Sequence, residues 1–175
     1  MYIDDGKGRG TTASVGLDNR LDVSGKMSSR ATYVSRDMGQ CYSWSAAKNI
    51  DATDTILLVC NNSTTKFLYI EKIIIGSDAA TRFTVHSPAY PTLAGTVITG
   101  TNDNRTSGNV ADASAYEDET GNTQANIIHQ GMLMASEMVD LTIDGRIILG
   151  YHQSIAVDIV TEPTMVTCTI VGYFE

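Results

Sequence analysis

From Ala31 to the C terminus the chain is a succession of short apolar runs fenced by turn-forming residues, a rhythm that admits strands and leaves almost no room for helices. Thr55–Cys60 (TILLVC) is followed by the polar cluster Asn61-Asn62-Ser63-Thr64, and Phe67–Ile75 (FLYIEKIII) then runs to Gly76-Ser77-Asp78. Two apolar runs flanking a polar turn predict a β-hairpin with strands buried on at least one face. Further strands are expected at Arg82–His86, Leu93–Thr99, Asn126–Gln130, Val139–Ile143, Arg146–Leu149, Ser154–Val160 and Met165–Phe174.

The last two runs indicate how such strands pack. Ile155, Val157 and Ile159 alternate with Ser154, Ala156 and Asp158, and Val166, Cys168 and Ile170 alternate with Thr167 and Thr169, so each strand has one apolar face. Thr161-Glu162-Pro163-Thr164 supplies a turn between them, and Asp144-Gly145 predicts a second hairpin with a two-residue loop. Roughly eight to ten short strands without a long amphipathic helix predict an all-β chain, an antiparallel β-sandwich or jelly roll. Only Ser43–Asn49 and Gly131–Met138 read as short helices.

Two segments stand outside this pattern. Residues 1–30 are rich in Gly, Asp, Ser and basic side chains, and read as an extended N-terminal arm. Its one alternating stretch, Val15 to Val23, suits a hairpin around Asp18-Asn19-Arg20. Residues 31–175 then form the sandwich domain, interrupted by a long polar loop at 101–124. That loop is longer than ordinary strand connections, which makes it a solvated excursion or a segment ordered by a partner. Tyr116, beside Glu117-Asp118-Glu119, is its one aromatic anchor and a candidate partner contact.

Charge is divided unevenly between the halves. Residues 1–82 carry 10 Lys/Arg against 9 Asp/Glu, whereas residues 83–175 carry 2 against 11. The second half therefore lacks the clustered cations that phosphate binding needs, and nucleic acid is not an expected direct partner. The arm, with Lys7, Arg9 and Arg20, can instead dock on an acidic neighbour such as another copy of the chain. No apolar stretch has signal-peptide or membrane-spanning length, so neither secretion by a recognisable signal nor membrane insertion is expected.

Chemistry-bearing residues are scattered. Cys41, Cys60 and Cys168 are odd in number and widely spaced, suggesting neither a disulfide framework nor a zinc site; Cys60 and Cys168 lie in strand patterns as small core residues. His86, His129 and His152 form no local ligand motif, and a cupin-like metal site would have to gather them from separate strands. Gly6-Lys7-Gly8-Arg9-Gly10 lacks the order of a phosphate-binding loop, and no G-x-S-x-G elbow is present. No enzyme activity, metal or cofactor is expected. Glycan binding through Tyr42, Trp44, Tyr90 or Tyr116 is the better rival, although the alternation around Trp44 favours a core position.

The opening DGKGRG and SVGLDNRLDV, followed by YSWSAAKNIDATDTILLVCNNSTTKFLYIEKIIIGSD, resemble small virion proteins of tailed phages. The shared features are an arm with a D-G-x-G-x-G start, a D-N-R-L turn, a strand ending in paired asparagines, and a strand of the form L-x-I-x-x-I-x-x-G. The resemblance implies a jelly-roll protein of the virion, a capsid decoration or cement protein that binds the head shell as a homotrimer. Its partners would be its own copies and the major capsid protein or another virion protein. Carried over residue by residue, it marks Asp5-Gly6 through Gly10 and Asp18 to Leu21 as the docking arm, with Lys7, Arg9, Arg20 and Leu21 as contacts, and Asn61-Asn62 as a structural turn. The alternative is a tail or fibre-associated sandwich that binds host glycan through the second half.

Overall fold

In the computed structural model, the residues described are 2–4, 12–15, 21–22, 29–49, 55–89, 94–120, 122, 124–160 and 165–175, the first three segments by their backbone alone. The chain forms β1 (Tyr2–Asp4), β2 (Thr12–Val15), β3 (Leu21–Asp22), a helical turn α1 (Arg30–Tyr33), β4 (Cys41–Lys48), β5 (Thr55–Asn61), β6 (Leu68–Ser77) and β7 (Thr81–His86). Then come β8 (Thr96–Ile98), β9 (Thr101–Asn102), β10 (Ala113–Glu119), β11 (Ile127–Leu133), β12 (Glu137–Leu149), β13 (Ser154–Ile159) and β14 (Val166–Phe174).

Two antiparallel sheets face each other, one ordered β12-β6-β14-β4-β9 and the other β11-β7-β13-β5-β10-β8. Successive strands from β4 to β7, and again from β11 to β14, change sheet at every step. The quartets β12-β6-β14-β4 and β11-β7-β13-β5 have the strand order of a jelly roll, with β8 to β10 added at one side. The predicted all-β sandwich is the fold. Trp44, Leu57, Val59, Ile70, Ile73, Phe83, Val85, Ile155, Val157 and Ile170 fill the space between the sheets.

The connectivity corrects two hairpins. β5 and β6 lie in opposite sheets, so residues 62–67 cross between layers rather than turn back on one. β5 is apolar at nearly every position because both its faces are covered: Leu57 and Val59 join the main core, while Leu58 and Cys60 pack with Ala156 and Tyr116 on the other face. A strand buried on both faces sits between two neighbours, here β13 and β10. The chain also does not reverse at Asp144-Gly145. Thr142 pairs with Lys72 and Ile147 with Ile70, so β12 continues along β6 and residues 143–146 bulge opposite Glu71. Asp144 (φ 53°) and Gly145 (φ 69°) supply the left-handed angles this bulge needs. The turn dipeptide is used inside a strand.

Both proposed helices are strand. Ser43–Lys48 belongs to β4, and 131–138 spans the end of β11, a short turn and the start of β12. The helical segment lies elsewhere, at Arg30–Tyr33 followed by a π-helical turn over Val34–Met38, where a β pattern was expected. Ser29 Oγ accepts the Thr32 N–H at 3.2 Å, and Gly39 (φ 60°) ends the segment in the left-handed conformation. Val34 packs with Cys41 and Tyr173, covering part of one sheet's outer face.

The long polar segment is largely built into the fold. Its second half is β10, paired along β5 from Ala113↔Asn61 to Glu119↔Thr55. Its first half is held by amides: Asn102 Nδ2 donates to the Gly39 and Asn109 carbonyls, Asn104 Nδ2 to the Ser35 carbonyl, and Asn109 Nδ2 to the Met38 carbonyl. The polar composition serves these side chain to backbone bonds. In the arm, β2 pairs with β3 through Val15↔Leu21, as the alternation suggested, and β1 adds to β2. These three strands form their own sheet.

Candidate functional site

β11 and β12 are the edge strands of the two facing sheets and lie along the same side of the sandwich. Val139, Leu141, Ile143 and Ile147 alternate toward the core on β12 yet are only half-buried. A gap of about 550 Å³ remains between the sheets here, walled by Ile128 and His129 on one side and Leu141, Ile143 and Ile147 on the other, with Asp140 and Arg146 at its rim.

Large apolar side chains are also exposed on and beside these two edge strands. Ile127, Ile128, Met132, Met134, Met138 and Met165 are each between 44% and 69% exposed. All five described methionines, Met38 included, are exposed, so none serves as core filler. The exposed side chains are spread over three places, Ile128 at the gap, Met138 and Met165 beside Gly76 and Thr167 on the outer face of one sheet, and Met132 beside Arg82 and Gln130 on the outer face of the other.

The edge is nonetheless protected against direct strand pairing. Arg146 Nε donates to the Ile143 carbonyl at 2.9 Å and its terminal nitrogen to the Thr142 carbonyl at 3.4 Å. The guanidinium and the bulge together occupy acceptors that an added strand would use. The block lies at the middle of β12, where an added strand would have to pass it.

A second cluster is polar and buried, on the far face of the other sheet. Thr55 Oγ1 donates to Asp158 Oδ1 at 2.6 Å, Asn122 Nδ2 donates to Thr55 Oγ1 at 3.2 Å, and His86 Nδ1 accepts the Ala125 N–H at 3.4 Å. That last bond places the neutral ring's proton on Nε2, which lies 2.9 Å from Asp158 Oδ2 but too bent for a good hydrogen bond. His86 is fully buried and Asp158 nearly so, and the network ties the segment at 122–125 to the sheet. No hydroxyl or imidazole in it faces solvent, so it holds structure.

The candidate residues fall in separate places. Lys7, Arg9, Arg20 and Tyr90 lie outside the described residues, and Leu21 is on β3. Tyr116 lies in mid-strand on β10, packed against Leu58, Cys60 and Ala156, and is not the tip of a loop. Glu117 pairs with Lys48 at 3.2 Å. Glu119, at the end of β10, is buried, and its Oε2 accepts the Ala94 and Gly95 N–H groups at 2.7 Å each. Tyr42 and Trp44 are core residues.

The histidines are likewise apart. His129 lies at the open edge against Phe83, with ring centroids 5.8 Å apart, and His152 stacks on Tyr151 in the turn before β13. Among the described residues no group of three or more His, Cys, Asp or Glu side chains is placed to hold a metal ion. No helix among them is long and apolar enough to cross a membrane.

The three cysteines are free and buried. Burial, helped by a hydrogen bond to Asp103, pushes the Cys41 thiol up to about 12. Burial alone pushes the Cys60 thiol to about 11 and raises Cys168 strongly. None is an activated thiol.

Sequence reading missed the β11–β12 edge because 131–138 was taken as helix. A signal was present: Met132, Met134 and Met138 cluster between two segments already read as strands. Comparison with known protein families, curated proteins and solved structures finds no match for this chain.

Proposed function

We propose that this chain is a structural protein of a tailed-phage virion, a jelly roll that decorates and stabilises the head shell as a homotrimer. The observation that carries the assembly part of this reading is the edge of β11 and β12, where a gap between the sheets is left open and six large apolar side chains on or near the two strands are exposed. The virion part rests on the resemblance of the arm, the paired-asparagine turn and the strand after it. In such a protein the domain supplies contacts between copies and the arm, with Lys7, Arg9, Arg20 and Leu21, reaches the neighbouring shell protein. Symmetry then multiplies modest interfaces over the whole particle.

Binding to undecorated head shells of the same virion, followed by cosedimentation, tests the reading. The full chain saturates shells at a fixed ratio and raises their resistance to heat. Deletion of residues 1–25 leaves the two main sheets folded, because among the described residues β1 to β3 pair with one another and with neither main sheet, and abolishes binding. A full chain that never sediments with shells, or a truncated chain that binds as well as the full one, would contradict it.

A further inference from the structure

Apart from the assembly reading, we infer that the end of the sandwich between β4 and the crossover at 62–67 holds a binding site for one neutral sugar ring. A cavity of about 320 Å³ opens there, at the small end of the roughly 300–1,000 Å³ of ligand pockets, so it admits a single ring. Its floor is the pair Tyr42 and Phe174, whose rings meet edge to face at 5.8 Å. Tyr42 is 1% exposed, yet its hydroxyl has no hydrogen-bond partner among the described residues. Unlike the Trp44 indole nitrogen, that oxygen is not sealed among protein atoms, and the open space beside Tyr42 is this cavity. A hydroxyl so placed costs stability unless water or a ligand hydroxyl bonds it.

The walls are fixed by the protein's own bonds. Asn62 ties them together, its N–H donating to the Asp112 carbonyl at 3.0 Å and its Nδ2 to Ser114 Oγ at 2.6 Å. Asn109 Nδ2 donates to the Met38 and Gly39 carbonyls, which leaves its Oδ1 as an acceptor for a ligand. Lys66 Nζ donates to Gln40 Oε1 at 2.8 Å, which leaves the Gln40 amide nitrogen and further ammonium protons as donors. Lys66 and Asp112 are the only charged residues that line the cavity, and their charges cancel. Donors and acceptors over an apolar floor, without net charge, suit a ligand whose every hydroxyl both donates and accepts. Its C–H bonds meet the aromatic floor and Val110, which is 77% exposed at the rim. A neutral pyranose has this chemistry. An anion meets the Asp112 carboxylate as well as Lys66, a divalent cation finds one carboxylate, and a hydrocarbon chain leaves the hydroxyls and amides unpaired.

The test is saturation-transfer NMR on the full chain with free neutral hexoses and N-acetylhexosamines, with glucuronate and octanoate as charged and apolar controls, beside an array that presents the same sugars as chain ends. Binding of a neutral sugar and of neither control is expected. A signal from free sugars identifies the ring alone as the ligand, and a signal from the array alone identifies a chain end; both support the site. Tyr42→Phe removes an oxygen that has no protein partner, so it melts like the native chain while binding weakens about tenfold, the worth of one hydrogen bond. Thr65→Val, at an exposed position on the cavity wall, weakens binding without touching the core. No binding of a neutral sugar in either format, tighter binding of a control, or equal binding by the native chain and both variants overturns the proposal. The native mass is the same under every one of these outcomes, so the assembly reading is judged separately.

Discussion

Arg146 donates to the Ile143 carbonyl three residues back, across the bulge that its own strand makes opposite Glu71. An edge strand of 13 residues with neither Lys nor Pro would otherwise invite pairing with other chains. The bond interrupts that edge at its middle.

Arg146→Ala should therefore change association more than stability. An exposed hydrogen-bonding side chain contributes about 0.5–1.5 kcal/mol, so the melt shifts modestly. Light scattering and thioflavin fluorescence should show open-ended aggregates at concentrations where the native chain stays discrete. Unchanged association would mean that the guanidinium does not guard the edge.

Asn61 is a buried hub at the end of β5. Its Nδ2 donates to the Leu149 carbonyl at 2.8 Å and the Lys66 carbonyl at 3.0 Å, and its Oδ1 accepts the Ser63 N–H at 2.8 Å. Asn61→Ala leaves these groups unpaired where water has little access, and should cost about 2–4 kcal/mol in denaturant unfolding. A loss under 1 kcal/mol would show that the crossover at 62–67 does not depend on these bonds.

With Cys41 at about 12 and Cys60 at about 11, and Cys168 raised further, essentially no thiolate exists in the folded protein at pH 8. A thiol-exchange reagent should find none reacting promptly in the native chain and three after unfolding. Rapid native labelling would reveal opening of the strands that hold them.

Glu71 is raised above the ordinary carboxyl value, chiefly by burial and then by the like charge of Asp144 across the bulge, with Lys72 pulling the other way. A raised folded-state value means that the native state binds the proton more tightly than the unfolded chain. The associated stability is fully present below the unfolded-state value and is lost as pH rises through the folded one. Glu71→Gln should therefore melt higher than the native protein at pH 7, with the difference vanishing near pH 4. A variant that is less stable at pH 7 would reverse the assignment.

Strand positions were legible because the apolar period marks the core-facing side chains: on β14 burial follows it, whereas β13 lies between two neighbours and is buried at all six positions, Ser154, Ala156 and Asp158 included. Which strands pair was not. TILLVC and FLYIEKIII look like hairpin arms, but nothing local distinguishes a turn within a sheet from a crossing between sheets; the difference lies in β13 and β14, some 100 residues away. Asp144-Gly145 carried correct backbone angles and a wrong topology for the same reason. The polar segment after Thr101 misled because its asparagines answer to backbone carbonyls of Ser35, Met38 and Gly39, which only the folded chain brings near. The apolar edge was hidden because exposure is a property of the assembled sheets, and methionine reads as core in a linear pattern.

The native mass of the purified chain, by light scattering over a dilution series, tests the central claim most directly. A trimer that resists dilution is the predicted result. A monomer at every concentration would contradict the account.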